Sequence, residues 1–268
     1  MAGDHCRETC QPHVRERERA HILKGEDSGW DKVPRVKYIT RGRYGCRSFL
    51  YDSQWPPVDT QRKSFALDAP ARTDSQFAVI ATSGRPKKRL GSAVTFITPP
   101  FERNTLVAGQ SIVKLFLSVK GASDTDLFLG LRYISKDGHE ILFDGILDSP
   151  NLLVAYGHQR LSLRKPDDKI SHGDFLYTDG SVSEPVKEGE IVEVHVMLSP
   201  ISVIVEKGGR LVLEVSSRNV ENSYCYIMND PNDRKTGGVV KIHTGESHPS
   251  ELMLPFQPVE LRGMPEGI

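Results

Sequence analysis

The sequence of 268 residues lacks an excess of charge of either sign, since 35 Lys and Arg residues balance 35 Asp and Glu residues. A surface that binds nucleic acid or an anionic membrane needs a concentration of basic residues. The short basic run at 87–89 is typical of a solvated loop. The sequence therefore predicts neither nucleic acid nor a membrane as a partner.

Long apolar runs are also missing, because no stretch approaches the roughly 18 residues of a membrane span. The N-terminus is polar where a secretion signal would need an apolar core. The four cysteines are too few and too scattered for a disulfide framework. We therefore expect a cytoplasmic protein with free thiols.

The sequence has no Gly-x-Ser-x-Gly pentapeptide, which places the nucleophile of α/β-hydrolases on a sharp turn between a strand and a helix. The nearest match is Gly180-Ser181, in a predicted loop with no helix after it. Hydrolysis by a Ser-His-Asp triad is therefore not expected, and no catalytic residue is assigned.

Metal-ligand side chains occur in two places, but neither makes a strong site. A zinc-like spacing near the N-terminus is formed by His5, Cys6, Cys10 and His13. It lacks a second pair of ligands and is more typical of a frayed tail. Asp124 and Asp126 supply too few oxygens for calcium, which needs six or more. The sequence predicts no metal and no cofactor.

Alternating strands and turns fill the chain from about residue 94 to 258, with almost no helical pattern. Strands are predicted at 36–39, 46–55, 63–67, 77–81, 93–97, 111–119, 126–134, 141–147, 191–198, 210–216, 239–243 and 251–256. Asp-Gly and Gly-Gly turns separate several of them. The pattern predicts an all-β jelly-roll β-sandwich, similar to galactose-binding domains.

The predicted organisation is a helical or linker segment at 1–32 followed by the sandwich at 33–268. A helix is predicted at 14–24, where Arg and Glu are abundant and the apolar face is thin. A long loop insertion is predicted at 148–190, where three prolines interrupt the pattern.

This insertion supplies the candidate binding residues, because loops at the rim of a sandwich commonly carry function. Aromatic, basic and hydrogen-bonding side chains that could line a pocket are Tyr156, His158, Arg160, Arg164, His172, Asp174 and Tyr177, with Phe175 among them.

The order of several short motifs resembles the C-terminal, non-catalytic jelly-roll domain of X-Pro dipeptidyl-peptidases and cocaine-esterase-like (CocE/NonD) serine hydrolases, most closely in fungal members. These motifs lie at 21–25, 29–31, 55–57, 124–126, 161–165, 206–211 and 243–245. In that family the jelly roll follows an α/β-hydrolase domain that holds the catalytic triad. The resemblance therefore implies a β-sandwich without its own active site.

The sequence departs from the family pattern where the N-terminal helix would meet a hydrolase domain. Glu18-Arg19 stands where relatives carry aromatic residues, and charged side chains are costly in an apolar interface. We expect this helix to face water.

Three functions remain open. The first is a stand-alone or truncated module that binds a small molecule or a protein partner, including an α/β-hydrolase domain. The alternative is a repurposed fungal biosynthetic enzyme of secondary metabolism, a cyclase or pericyclase that orients its substrate under the 148–190 loop without a covalent nucleophile. The third is a fragment of a dipeptidyl-peptidase or esterase-like hydrolase.

Overall fold

The computed structural model describes residues 12–68, 77–81, 93–143, 152–173, 175–216 and 238–257. At 12–15, 45–48 and 77–81 it describes the backbone alone. The structural statements below refer to these residues.

Two β-sheets dominate the described residues. In chain order the strands are β1 (Val36–Gly42), β2 (Gly45–Asp52), β3 (Gln61–Ala66), β4 (Phe77–Ala81), β5 (Val94–Ile97), β6 (Thr105–Gly109), β7 (Ile112–Lys120), β8 (Asp126–Ile134), β9 (Glu140–Ile141), β10 (Ala155–Arg160), β11 (Ile191–Met197), β12 (Ile201–Val205), β13 (Arg210–Ser216), β14 (Val239–His243) and β15 (Glu251–Phe256).

The strands divide into a ten-stranded sheet, here called sheet A, and a five-stranded sheet, here called sheet B. Sheet A has the order β2-β1-β12-β6-β15-β7-β14-β4, with β11 paired to β7 and β3 paired to β15. Sheet B has the order β10-β8-β13-β5, with β9 paired to β8. Apart from the parallel contact of β1 with β12, these pairs are antiparallel.

The core lies between the sheets because every second residue of the central strands is apolar and points inward. Side chains from both sheets meet there, including Leu115, Leu117, Leu129, Leu131, Val194, Leu213, Ile242 and Leu254. Each is buried. The two facing apolar surfaces hold the sandwich together.

A second, smaller cluster packs beneath the β1–β2 hairpin. Its buried members are Leu106, Ala108 and Ile204, and Tyr38 and Trp55 pack against them. The two aromatic rings meet edge to face with centroids 5.4 Å apart. The hairpin therefore covers the face of β6 and β12 that does not face the main core.

One helix, α1 (Pro12–Lys24), precedes the sheets and is followed by a 3-10 turn at Trp30–Lys32. Gly29 takes a positive φ of 72° just before this turn. The prediction of an all-β sandwich with a short N-terminal helix is confirmed.

Three strands were not predicted from the sequence: β6, β10 and β12. β6 and β12 are apolar on both sides because the two clusters bury both faces, so they show no alternation. β10 faces the core with the small residues Ala155 and Gly157, which give no apolar signal.

The 148–190 segment was predicted as a long loop, and this needs correction because β10 belongs to it. β10 forms six pairs with β8 and lies at one side of sheet B. A 3-10 turn at Leu161–Leu163 follows it. The predicted strand at 141–147 is shorter, since β9 ends at Ile141, and residues 144–147 lie outside the described residues.

Candidate functional site

Three of the predicted binding residues lie side by side on the outer face of β10. Tyr156, His158 and Arg160 alternate with residues that face the core, as the strand geometry requires. Arg160 lies opposite Asp126 on β8, and its Nε is 2.9 Å from Asp126 Oδ1. The guanidinium therefore has a carboxylate partner within the chain, while His158 is exposed.

Arg164 holds the start of the following loop. Its Nη1 donates hydrogen bonds to the carbonyl oxygens of Leu161, at 3.1 Å, and of Glu184, at 2.6 Å. Its Nη2 also lies 3.6 Å from Glu184 Oε2. These contacts tie the two ends of the 164–184 excursion together, so the structure gives Arg164 an architectural role.

The two aspartates considered for calcium are bound by donors of the chain itself. Asp124 accepts hydrogen bonds from the Ser162 amide at 2.8 Å and from Ser162 Oγ at 2.6 Å. Asp126 pairs with Arg160. Within the described residues there is no cluster of three or more His, Cys, Asp or Glu side chains suited to a metal ion. His5, Cys6 and Cys10 lie outside those residues.

His172 and Tyr177 lie on a small hairpin between 166 and 178, here called the aromatic hairpin. Bridges join Pro166 to Thr178 and His172 to Phe175. The His172 ring stacks on Phe175 and Tyr177, with centroids 5.4 Å and 6.3 Å apart. The structure thus brings His172 and Tyr177 together, and Asp174 lies outside the described residues.

A cavity of about 490 Å³ lies elsewhere, between the 3-10 turn and the β1–β2 hairpin. Its lining residues are Asp31, Lys32, Val33, Pro34, Arg35, Tyr51, Asp52 and Ser53. None of the residues predicted from the 148–190 segment lines it. The sequence could not reveal it, because the cavity depends on how β1 and β2 pair and on where the turn before them lies.

The two carboxylates that line this cavity, Asp31 and Asp52, both contact other groups of the chain. Asp31 lies 3.4 Å from His21 Nε2. Asp52 accepts backbone hydrogen bonds from Ser53 at 2.7 Å and from Val58 at 3.2 Å, which shape the turn after β2. Burial, followed by the charge of Asp52, raises the pKa of the nearby Tyr38. The acidic lining residues therefore serve local structure.

The fold and these contacts agree with a match to a known family. Residues 28–253 match the family described as the X-Pro dipeptidyl-peptidase C-terminal non-catalytic domain. The chain belongs to this family. The resemblance inferred from the motifs is confirmed at this level, and no curated protein matches the chain.

Solved structures with the same fold come from larger hydrolases. A CocE/NonD family hydrolase from Staphylococcus aureus has a TM-score of 0.79 and 24% identity, covering 94% of this chain and 46% of its own. An aminopeptidase from a Thaumarchaeota archaeon has a TM-score of 0.63 and 15% identity, covering 91% of this chain and 43% of its own. An α-amino acid ester hydrolase has a TM-score of 0.58 and 15% identity, covering 82% of this chain and 41% of its own.

This chain therefore spans less than half the length of these hydrolases. In the described residues we find no helix with both the length and the apolar character needed to cross a membrane.

Proposed function

We propose that this chain is a non-catalytic β-sandwich that binds a catalytic α/β-hydrolase domain and supports its fold or substrate access. The family match over residues 28–253 carries this proposal, because that family is described as non-catalytic. The three similar hydrolases are each about twice as long as this chain, which leaves room for a catalytic domain beside the sandwich.

The charged residues at 18–19 favour a helix that faces water, but the C-terminal end of α1 exposes apolar side chains and offers a surface for such a partner. Ile22 is 62% exposed and Leu23 is 78% exposed. Complete burial of one such side chain stabilises a complex by about 1.5–3 kcal/mol. Adjacent large apolar residues that the sandwich leaves in water favour an interface at this position.

Charge near α1 limits how the partner binds. Arg19 is exposed one turn before Leu23, and Lys24 and Glu26 form a long ion pair of 3.9 Å beside it. An apolar centre with a charged rim is the usual composition of an interface between separable domains. We therefore infer contact through Ile22 and Leu23, with the charged residues at its edge.

The alternative function, a cyclase-type enzyme in fungal secondary metabolism, has no supporting observation in the described residues. It requires a pocket beneath the 148–190 segment, whereas the described cavity lies beside β1 and β2. Arg160 and Arg164, two of the residues predicted to line a pocket, are engaged by a carboxylate and by carbonyl oxygens of the chain. This alternative, the fungal origin and the cytoplasmic location stay predictions.

The proposal is tested by binding to a catalytic α/β-hydrolase domain of the same family from the same genome. We expect calorimetry to detect a complex, and the double variant Ile22→Asp/Leu23→Asp to weaken it by about 100-fold, because two apolar anchors are lost. The matched control is Ile170→Asp, which alters an exposed isoleucine, 53% accessible, on the aromatic hairpin.

The control variant should bind as tightly as the original chain. Equal weakening by Ile170→Asp would place the interface elsewhere. A complete lack of binding by the folded original chain would contradict the proposed function.

A further inference from the structure

The cavity beside the 3-10 turn opens at the mouth of the β1–β2 hairpin, where the two strands separate. The hairpin ladder ends at the pair of Val36 with Asp52. Pro34, two residues before Val36, has no amide hydrogen and cannot extend the ladder. Residues 31–35 and 51–53 therefore diverge and line a cavity of about 490 Å³, a volume typical of small-molecule sites.

Two basic side chains of the lining carry charge that the chain does not pair. Lys32 and Arg35 are both exposed. In the part of the chain that the structure describes, neither side chain forms an ion pair with a carboxylate, whereas Arg132 and Arg160 do so on sheet B. An unpaired guanidinium at a cavity is available to hydrogen-bond an anion.

The two carboxylates of the lining are directed at other groups. Asp52 accepts hydrogen bonds from the backbone amides of Ser53 and Val58, and Asp31 lies 3.4 Å from the ring of His21. The charge that the cavity leaves without a partner is therefore positive.

Apolar groups adjoin these cations. Val33 and Pro34 lie between Lys32 and Arg35 in the sequence and line the same cavity. Tyr51, which is 50% exposed, adds an aromatic ring from the facing strand. Aromatic rings pack against one another in offset-stacked or edge-to-face arrangements. The cavity thus combines a site for an anion with a surface for a flat apolar group.

We propose that this cavity binds a small molecule in which an aromatic ring carries a carboxylate. The Arg35 guanidinium donates two parallel hydrogen bonds to the carboxylate oxygens, and the Lys32 ammonium supplies a second positive charge. The aromatic ring packs against Tyr51 and Pro34. The site uses no residue of a hydrolase domain, so it is independent of the proposed function.

The neighbouring charges favour a carboxylate over a phosphate. Asp31 and Asp52 line the same cavity as the two cations and repel an anion. This repulsion grows with the charge of the ligand, so a phosphate with nearly two negative charges is disfavoured relative to a carboxylate with one.

The test is titration of the full chain with phenylacetate at low ionic strength, where exposed charges are weakly screened. The readout is the indole N–H signals of Trp30 and Trp55 in nitrogen-15 NMR spectra. These are the two tryptophans of the chain, and each lies within two residues of a lining residue. We expect a saturable shift with a Kd of about 1–10 mM, as for a ligand of about ten non-hydrogen atoms.

The double variant Lys32→Gln/Arg35→Gln should weaken binding by about tenfold or more, because both cations are lost. The matched control is Lys165→Gln/Lys169→Gln, which removes two exposed positive charges beside and on the aromatic hairpin. This control should bind phenylacetate as tightly as the original chain. Phenylacetamide, which has the same shape without the charge, should cause no saturable shift, and phenyl phosphate should bind more weakly than phenylacetate.

Thermal melts establish that each variant is folded, and the substituted side chains at 32 and 35 have no ion-pair partner to lose. Saturable binding that depends on the ligand carboxylate and on the Lys32–Arg35 pair supports the proposal. No saturable shift on folded protein, equal binding of phenylacetamide, or equal weakening in the two double variants overturns it. Tighter binding of phenyl phosphate overturns the assignment of the ligand as a carboxylate.

Discussion

Glu214 is a buried carboxylate on the outer face of β13, only 8% exposed. Arg132 on the neighbouring strand β8 lies across it, with Nε 2.7 Å from Glu214 Oε2 and Nη1 2.6 Å from Glu140 Oε1. Removal of one member of a buried ion pair leaves the other charge without compensation.

We expect Arg132→Met to lower the free energy of unfolding by about 3 kcal/mol, measured by urea denaturation. The double variant Arg132→Met/Glu214→Leu should recover most of this loss, because no buried charge remains uncompensated and the Glu140 side chain, 33% exposed, is hydrated. An additive result, with the double variant less stable than either single variant, would contradict this account.

Glu251 gives a prediction about pH. Its carboxylate lies 2.6 Å from Lys114 Nζ. That hydrogen bond is the main cause that lowers the pKa of Glu251 below its usual value of 4.5, with smaller contributions from Ser64 and His195. A lowered pKa in the folded state stabilises the protein above pH 4.5, and this stabilisation disappears as the pH falls through the folded-state value.

Glu251→Gln should therefore destabilise the chain at neutral pH by less than about 1 kcal/mol, because the pair is partly exposed. Well below pH 4.5 the variant and the original chain should melt at the same temperature. A constant difference at every pH would show that the carboxylate charge contributes nothing.

At the level of residues, sequence patterns identified side chains with functional chemistry but not their partners. Arg160 and Arg164 were predicted to line a pocket. Instead, Arg160 bonds to Asp126, 34 positions away in the sequence, and Arg164 bonds to Glu184, 20 positions away. The hydrogen bond between Ser118 and His243 spans 125 positions. Such contacts depend on strand register, which a single sequence does not determine.

Gly157 determines how closely β10 approaches sheet A. A Cβ atom at this position would lie 2.8 Å from the carbonyl oxygen of Met197 and 2.9 Å from Leu198 Cδ2. The residue has no space for a side chain unless β10 moves outward.

We expect Gly157→Ala to destabilise the chain by about 1–3 kcal/mol, by forcing the backbone apart. Gly180→Ala is the control, since nothing lies within 4 Å of its Cβ position, and it should change stability by less than about 0.5 kcal/mol. Thermal and urea unfolding measure both, and equal effects would show that the close approach at Gly157 is unimportant.

Among the elements, the strands β7, β8, β11 and β13 were predictable because their inward residues are large and apolar. β10 was not, since its inward positions hold Ala155, Gly157 and a polar residue. The same close approach that excludes a side chain at Gly157 removes the hydrophobic signal from the sequence.

For the whole molecule, the order of motifs was sufficient to predict the sandwich and the family, because turns and strand ends are local in sequence. The cavity beside Tyr51 was beyond such reasoning. It depends on how the N-terminal segment lies against a sheet completed by distant strands.

The position of β15 has a consequence for the time course of synthesis. Among the described residues it is the last strand in chain order, yet it pairs with β3 on one side and with β6 and β7 on the other. While a ribosome is still producing residues before 251, the edges of these three strands stay unpaired, and unpaired edges favour aggregation. The nascent chain can therefore complete sheet A only after residues 251–256 have been synthesised.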